Sequence, residues 1–221
     1  MPKSPLHLVV LIALLAALIG FVELGVLTVA FDKLDLSPRS AYLLLITTLA
    51  GSFLNLPLFR IRSEPHPVSS IPVQYREFFG LPRNLPEPGR TLIGVNVGGC
   101  VVPVAFCGYL IVHHPLSSLE LAACVAAVTL VARLFSRPIR GLGIGIPILV
   151  APITAAAVAY LVDRDQAAPL AYIGGTLGVL IGADLLRLPD IRRLGVPFAS
   201  IGGAGSFDGI FVTGLLAVLL S

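Results

Sequence analysis

An all-α integral membrane fold of about seven transmembrane helices is what this sequence predicts, and three observations carry the prediction. Only 12% of the 221 residues are charged, against 56% hydrophobic, and the mean hydropathy is +0.95. A soluble domain is roughly one quarter charged, because its surface must hold water. Apolar runs of about 17–25 residues, the length that crosses ~30 Å of hydrocarbon, recur along the chain. Lys and Arg gather between those runs, far more on one side than on the other.

In chain order the runs are 6–31, 41–59, 91–112, 117–135, 144–162, 169–188 and 199–220. The first follows Lys3 but is too long for the apolar region of a signal peptide, so it is expected as a retained span. The second carries Asn55 and Pro57 near its inner end. Between it and the third lies the one long polar stretch, 60–90, rich in proline (Pro65, Pro67, Pro72, Pro82, Pro86 and Pro88). Extended or irregular chain on the membrane surface is expected there, not a folded domain. Asn96, Gly98, Gly99 and Pro103 interrupt the third run. Gly141, Gly143, Gly145, Pro147 and Pro152 interrupt the start of the fifth. In the sixth, Gly174, Gly178 and Gly182 repeat at i+4, the small-xxx-small pattern of close helix packing. The even spread of the runs predicts one polytopic domain over residues 1–221.

The orientation follows from counting. Lys3, Arg60, Arg62, Arg76, Arg83, Arg90, Arg133, Arg137, Arg140, Arg187, Arg192 and Arg193 fall on one side, and Lys33, Arg39 and Arg164 on the other. Twelve against three places the N-terminus in the cytoplasm and the C-terminus outside, in a multi-pass protein of the cell (inner or plasma) membrane. Tyr42, Tyr109, Tyr160 and Tyr172 all fall at the outer ends of their runs, where an amphipathic ring suits the interface. The formal charge of +3 reads as this topology signal, not as a nucleic-acid face. The lipid bilayer is the expected partner. Oligomeric state is not readable.

Three carboxylates fall within the runs: Glu23, Asp184 and Asp208. An ionisable group near the bilayer centre costs roughly 2.5–3.5 kcal/mol on insertion scales and demands a reason. Glu23, toward the outer end of the first run, reads as structural. Asp184 and Asp208 lie on consecutive helices near their cytoplasmic ends. The seventh run opens with Gly202, Gly203 and Gly205, a poor helix at close to 1 kcal/mol per glycine. Ser206 is a candidate N-cap, which puts Asp208 in the first turn, where the helix dipole favours a carboxylate. Irregular backbone at membrane depth is tolerated where protein or a water-filled cavity surrounds it. A hydrated site is therefore expected around Asp184 and Asp208, lined by Asn96, Gly98, Gly99, Pro147, Gly203, Gly205 and Ser206.

Two carboxylates held together in a partly dry site share a proton, so that one acts as base on water while the other donates to a carbonyl. Such chemistry needs no metal and no cofactor, and none is expected. The histidines (His7, His66, His113 and His114) stand at ends or loops. Cys100, Cys107 and Cys124 form no CxxC and read as small buried hydrophobes.

The segments Asn96-Val-Gly-Gly-Cys-Val-Val-Pro103, Arg137-Pro-Ile-Arg-Gly-Leu-Gly-Ile-Gly-Ile-Pro147, Gly178-Val-Leu-Ile-Gly-Ala-Asp-Leu-Leu186 and Ile201-Gly-Gly-Ala-Gly-Ser-Phe-Asp-Gly-Ile-Phe211 resemble the prokaryotic membrane family known as domain of unknown function 1614. That resemblance spans nearly the whole chain and implies no activity. The order and direction of Asp184 and Asp208 also resemble the intramembrane aspartyl proteases of the presenilin and signal-peptide-peptidase type. There the second Asp follows a Gly-x-Gly-Asp motif; here Ser206 and Phe207 separate Gly203-Ala-Gly205 from Asp208. This likeness implies a peptidase with an Asp184/Asp208 dyad and a transmembrane peptide as substrate. The alternatives are a proton- or cation-coupled transporter or channel using the same acids as carriers, and a non-catalytic scaffold whose buried acids pair with Arg187 or a helix end.

Overall fold

The structure, a computed structural model, describes residues 12–13, 15–17, 20, 26–64, 89–139, 143–203 and 209–221. Most of these residues are helical: α1 (Val26–Asp32), α2 (Pro38–Gly51), α3 (Val102–His113), α4 (Ser118–Phe135), α5 (Val150–Val162), α6 (Ala167–Val179), α7 (Leu188–Ile191) and α8 (Gly209–Leu220). The helices do not account for everything. Strands β1 (Asn55–Arg62), β2 (Arg90–Asn96) and β5 (Phe198–Ile201) form a sheet in the order β1-β2-β5, and β3 (Arg137–Ile139) pairs with β4 (Gly143–Gly145).

The all-α expectation is thereby corrected at several predicted run ends. The inner end of the second run, the start of the third, the start of the fifth and the start of the seventh are strand. Hydropathy alone does not separate these cases, because short apolar runs read alike in a helix and in a buried strand. Composition does explain the strands afterwards. β1 carries Pro57, which has no N–H for a ladder; it is an edge strand, and its register shifts between Pro57 and Phe59. The first and last residues of the polar stretch are likewise ordered into β1 and β2, while residues 65–88 lie outside the described residues.

Helix α6 is the centre of the fold and packs against α3, α4, α5 and α8. The glycine repeat faces α4, as the small-xxx-small pattern predicts. A Cβ at Gly178 would stand 2.5 Å from Val128 Cβ, and Gly174 and Gly182 abut Cys124 and the Thr129 carbonyl. We expect Gly178→Val to destabilise the protein by about 1–3 kcal/mol through overpacking of this crossing, read as a lowered thermal midpoint in detergent. The three cysteines are buried and none is in a disulfide among the described residues. Tyr172 departs from expectation. Its ring is fully buried and meets Phe106 edge to face, with centroids 4.9 Å apart, so it belongs to the core and not to an interfacial belt. Tyr109 and Tyr160 are exposed.

The helices end on two opposite faces. Lys33 Nζ donates to the carbonyl of Val218 at 3.2 Å, which sets the end of α1 beside the end of α8. The sheet gathers at the other face, where Glu64 N–H bonds the Arg192 carbonyl at 2.8 Å and Leu92 N–H the Pro197 carbonyl at 3.0 Å. At this face Arg187 closes the end of α4. Its Nη2 donates to the carbonyls of Arg133 (2.7 Å) and Ser136 (2.5 Å), Nε to Ser136 Oγ (3.0 Å) and Nη1 to Asp190 (2.9 Å). Arg187 is thus committed to Asp190 and the helix end, as a guanidinium fork allows and an ammonium does not. Arg187→Lys should lose about 2 kcal/mol by stranding those carbonyls, checked by thermal unfolding against wild type.

Candidate functional site

Two breaks in regular helix and one glycine turn meet near one point. The first is the π-helical turn Val97–Val101, which opens α3. Asn96 caps it: its Oδ1 accepts from Gly99 N–H (2.7 Å), and its Nδ2 donates to the Ser52 carbonyl (2.7 Å) and to Asn55 Oδ1 (3.2 Å). Ser200 Oγ donates to that same Asn55 oxygen at 2.6 Å. A buried polar network therefore ties α2, β1, β2 and β5 together. Asn96, only 1% exposed, is bound through both its side-chain oxygen and its side-chain nitrogen and holds the scaffold together. Gly98 lets α2 approach, since a Cβ there would run into the backbone of Thr48 and Ser52.

The second break is the π-helical turn Leu180–Asp184 at the end of α6. Such a turn inserts a residue into the helix and re-aims whatever follows, which is why π-turns recur at functional sites. Asp184 lies two residues beyond Gly182. Gly182 faces α4, so at 100° per residue Asp184 points to the opposite side, toward the start of α3 and the end of β5. Its Oδ2 accepts the backbone N–H of Gly202 at 2.8 Å. No hydrogen bond to Oδ1 forms among the described residues.

The glycine turn is the left-handed pair Gly202 (φ +80°) and Gly203 (φ +82°). Only glycine enters this region without strain. At Gly202 the approach is also close: a Cβ would lie 2.6 Å from Cys100 Cβ and 2.8 Å from the Cys100 nitrogen. The turn after β5 therefore rests on the first turn before α3, with the Asp184 carboxylate locking it from the side.

Of the expected site residues, Asp184, Gly98, Gly99 and Gly203 gather here, Gly98 and Gly99 through backbone packing and Asn96 through its cap. Pro147 is exposed in the turn before α5, where its carbonyl accepts from Val150 N–H. Asp208, Gly205, Ser206, Glu23 and Gly141 lie outside the described residues. Cys100 and Ser200 are additions to the expected site, and Gly202 and Asn55, read in the sequence as interruptions of their runs, join it. The Gly202–Gly203 pair was the readable signal, because two successive glycines mark a close backbone approach. Nothing in the sequence announces the Asn55–Ser200 bond, which joins residues 145 positions apart.

The fold defines a mainly helical protein in which, among the described residues, two helices, Ser118–Phe135 and Ala167–Ile191, are long and apolar enough to cross a membrane, the second carrying the acid-bearing π-turn. Residues 49–220 match the family described as a protein of unknown function (DUF1614), and the chain belongs to that family. Neither a curated protein nor a solved structure matches the chain.

Proposed function

We propose that this protein is a multi-pass membrane hydrolase of the aspartyl type, with its N-terminus and its arginine-rich, sheet-bearing face in the cytoplasm. Asp184 and Asp208 are its catalytic pair. The observation that carries the reading is the Asp184–Gly202 bond, which couples the acidic end of α6 to the glycine turn leading into Asp208 and α8. Two acids brought to one hydrated place divide the work of peptide hydrolysis. The ionised one takes a proton from water, and the protonated one donates to the carbonyl as the tetrahedral intermediate forms. The Lys33–Val218 contact supports the topology, since the first and last helices then end on the same face, as an odd number of spans requires.

Coupled transport is the competing reading, and the convergence of two π-helical breaks and a glycine turn on Asp184 favours it, because discontinuous helices build carrier sites. One experiment separates the two. The full chain is reconstituted in liposomes with a panel of single-span peptides, and cleavage is read by mass spectrometry while a pH gradient is monitored in parallel. Cleavage lost in both Asp184→Asn and Asp208→Asn supports the hydrolase. Cleavage retained in either variant, or a wild type that passes protons and cuts none of the panel, overturns it.

A further inference from the structure

We propose that one face of the β1–β2 hairpin binds the headgroup of an anionic phospholipid through Arg60, Arg62 and Arg90. The inference rests on the membrane orientation argued above and not on hydrolysis. The register carries it. Arg62 stands directly opposite Arg90 and Arg60 opposite Leu92 in the antiparallel pair, so the three guanidinium groups leave the same face of the sheet. Like charges directly opposite one another destabilise a strand pair. A pairing that sets Arg62 on Arg90 calls for an anion between them. Among the described residues no carboxylate supplies it. The ion pair formed among the described residues is Arg187–Asp190, and Glu64, two residues beyond Arg62 and past the end of β1, makes no bond to these arginines there. The Glu64 N–H contact with the Arg192 carbonyl brings a further exposed arginine to the same end.

The apolar surface beside this cluster identifies the anion as a lipid. Leu54, Leu56, Leu58 and Phe59, which lead into Arg60 and Arg62, are each 46–57% exposed. Exposed apolar chain followed at once by exposed arginines matches the passage from acyl region to headgroup. A cytoplasmic leaflet supplies anionic headgroups at that depth, and each attracts a nearby Arg or Lys. Arg forks also match phosphate oxygens two at a time.

The test uses the full chain purified in a neutral detergent and titrated with fluorescent phosphatidylglycerol, and separately with phosphatidylcholine bearing the same label. Wild type should prefer phosphatidylglycerol. Arg62→Gln/Arg90→Gln should weaken that lipid by roughly 30-fold and leave phosphatidylcholine unchanged, whereas Arg62→Lys/Arg90→Lys should retain most of the preference. Gel filtration and helical circular dichroism establish that each variant is folded. Equal binding of the two lipids by wild type, or a preference that survives the Gln pair, overturns the proposal. So does complete displacement of the lipid by millimolar inorganic phosphate, which would make the site one for the free anion. Loss of hydrolytic activity has no bearing on any of these readings.

Discussion

Asp184→Asn is expected to cut peptide hydrolysis by about 10²–10⁴-fold, the range a positioned acid or base contributes, while the protein stays folded. Asparagine has the same shape, and its carbonyl oxygen can still accept the Gly202 N–H that Asp184 now accepts at 2.8 Å. The glycine turn therefore keeps its anchor, and only the proton-exchanging group is lost. Asp184→Ala makes the complementary prediction. It removes the anchor as well, leaves the Gly202 N–H without its acceptor, and should lower stability by about 1–3 kcal/mol in addition to abolishing activity. Paired measurements of cleavage rate and thermal midpoint distinguish the two variants. An Asn variant as unstable as the Ala variant would mean that Asp184 serves the fold through its charge and not the reaction.

Gly98→Ala is the substitution with the largest expected structural effect. A single methyl there would overlap the Thr48 carbonyl and the Ser52 amide and stand 2.8 Å from the Gly51 carbonyl carbon. These are backbone atoms, so no rotamer change relieves the clash, and α2 has to move away from the turn at Val97–Val101. That movement pulls the Ser52 carbonyl from Asn96, which donates to it at 2.7 Å, and loosens the cap that orders the start of α3. The expected cost is about 3 kcal/mol or more, at the upper end of overpacking. Gly108→Ala is the control from within α3. A Cβ at Gly108 meets nothing within 4 Å, and the helix gains up to ~1 kcal/mol from the better helix former. Thermal unfolding in one detergent reads both, and similar midpoints for the two variants would contradict the packing described at Gly98.

Period and energy make parts of this fold legible along the chain. The glycines at 174, 178 and 182 could be assigned to a helix crossing because i+4 spacing is a local property of a helix, and they do face α4. Asp184 could be singled out because a carboxylate in an apolar run always needs a reason. Asn96 stands out as an interruption of the third apolar run, but a buried amide bound on both sides and one that lines a cavity look alike in sequence. Only its bonds to Ser52, Asn55 and Gly99 separate them. Pro147 shows the same limit: a helix-breaking residue marks an end, not the surroundings of that end, and this one is exposed.

By itself, then, the sequence determined the helical, apolar character of the chain, the close face of α6 and the place of Asp184 at the end of an apolar run, because each follows from composition or from spacing along one helix. The tertiary structure alone decided that apolar ends become strands, that Tyr172 is core, that Arg187 closes the end of α4 at Arg133 and Ser136, and that Asp184 holds Gly202. The physical reason is common to all four. Each depends on a partner distant along the chain or on the choice between a buried strand and a buried helix, and residue type constrains neither until the backbone brings the partners together.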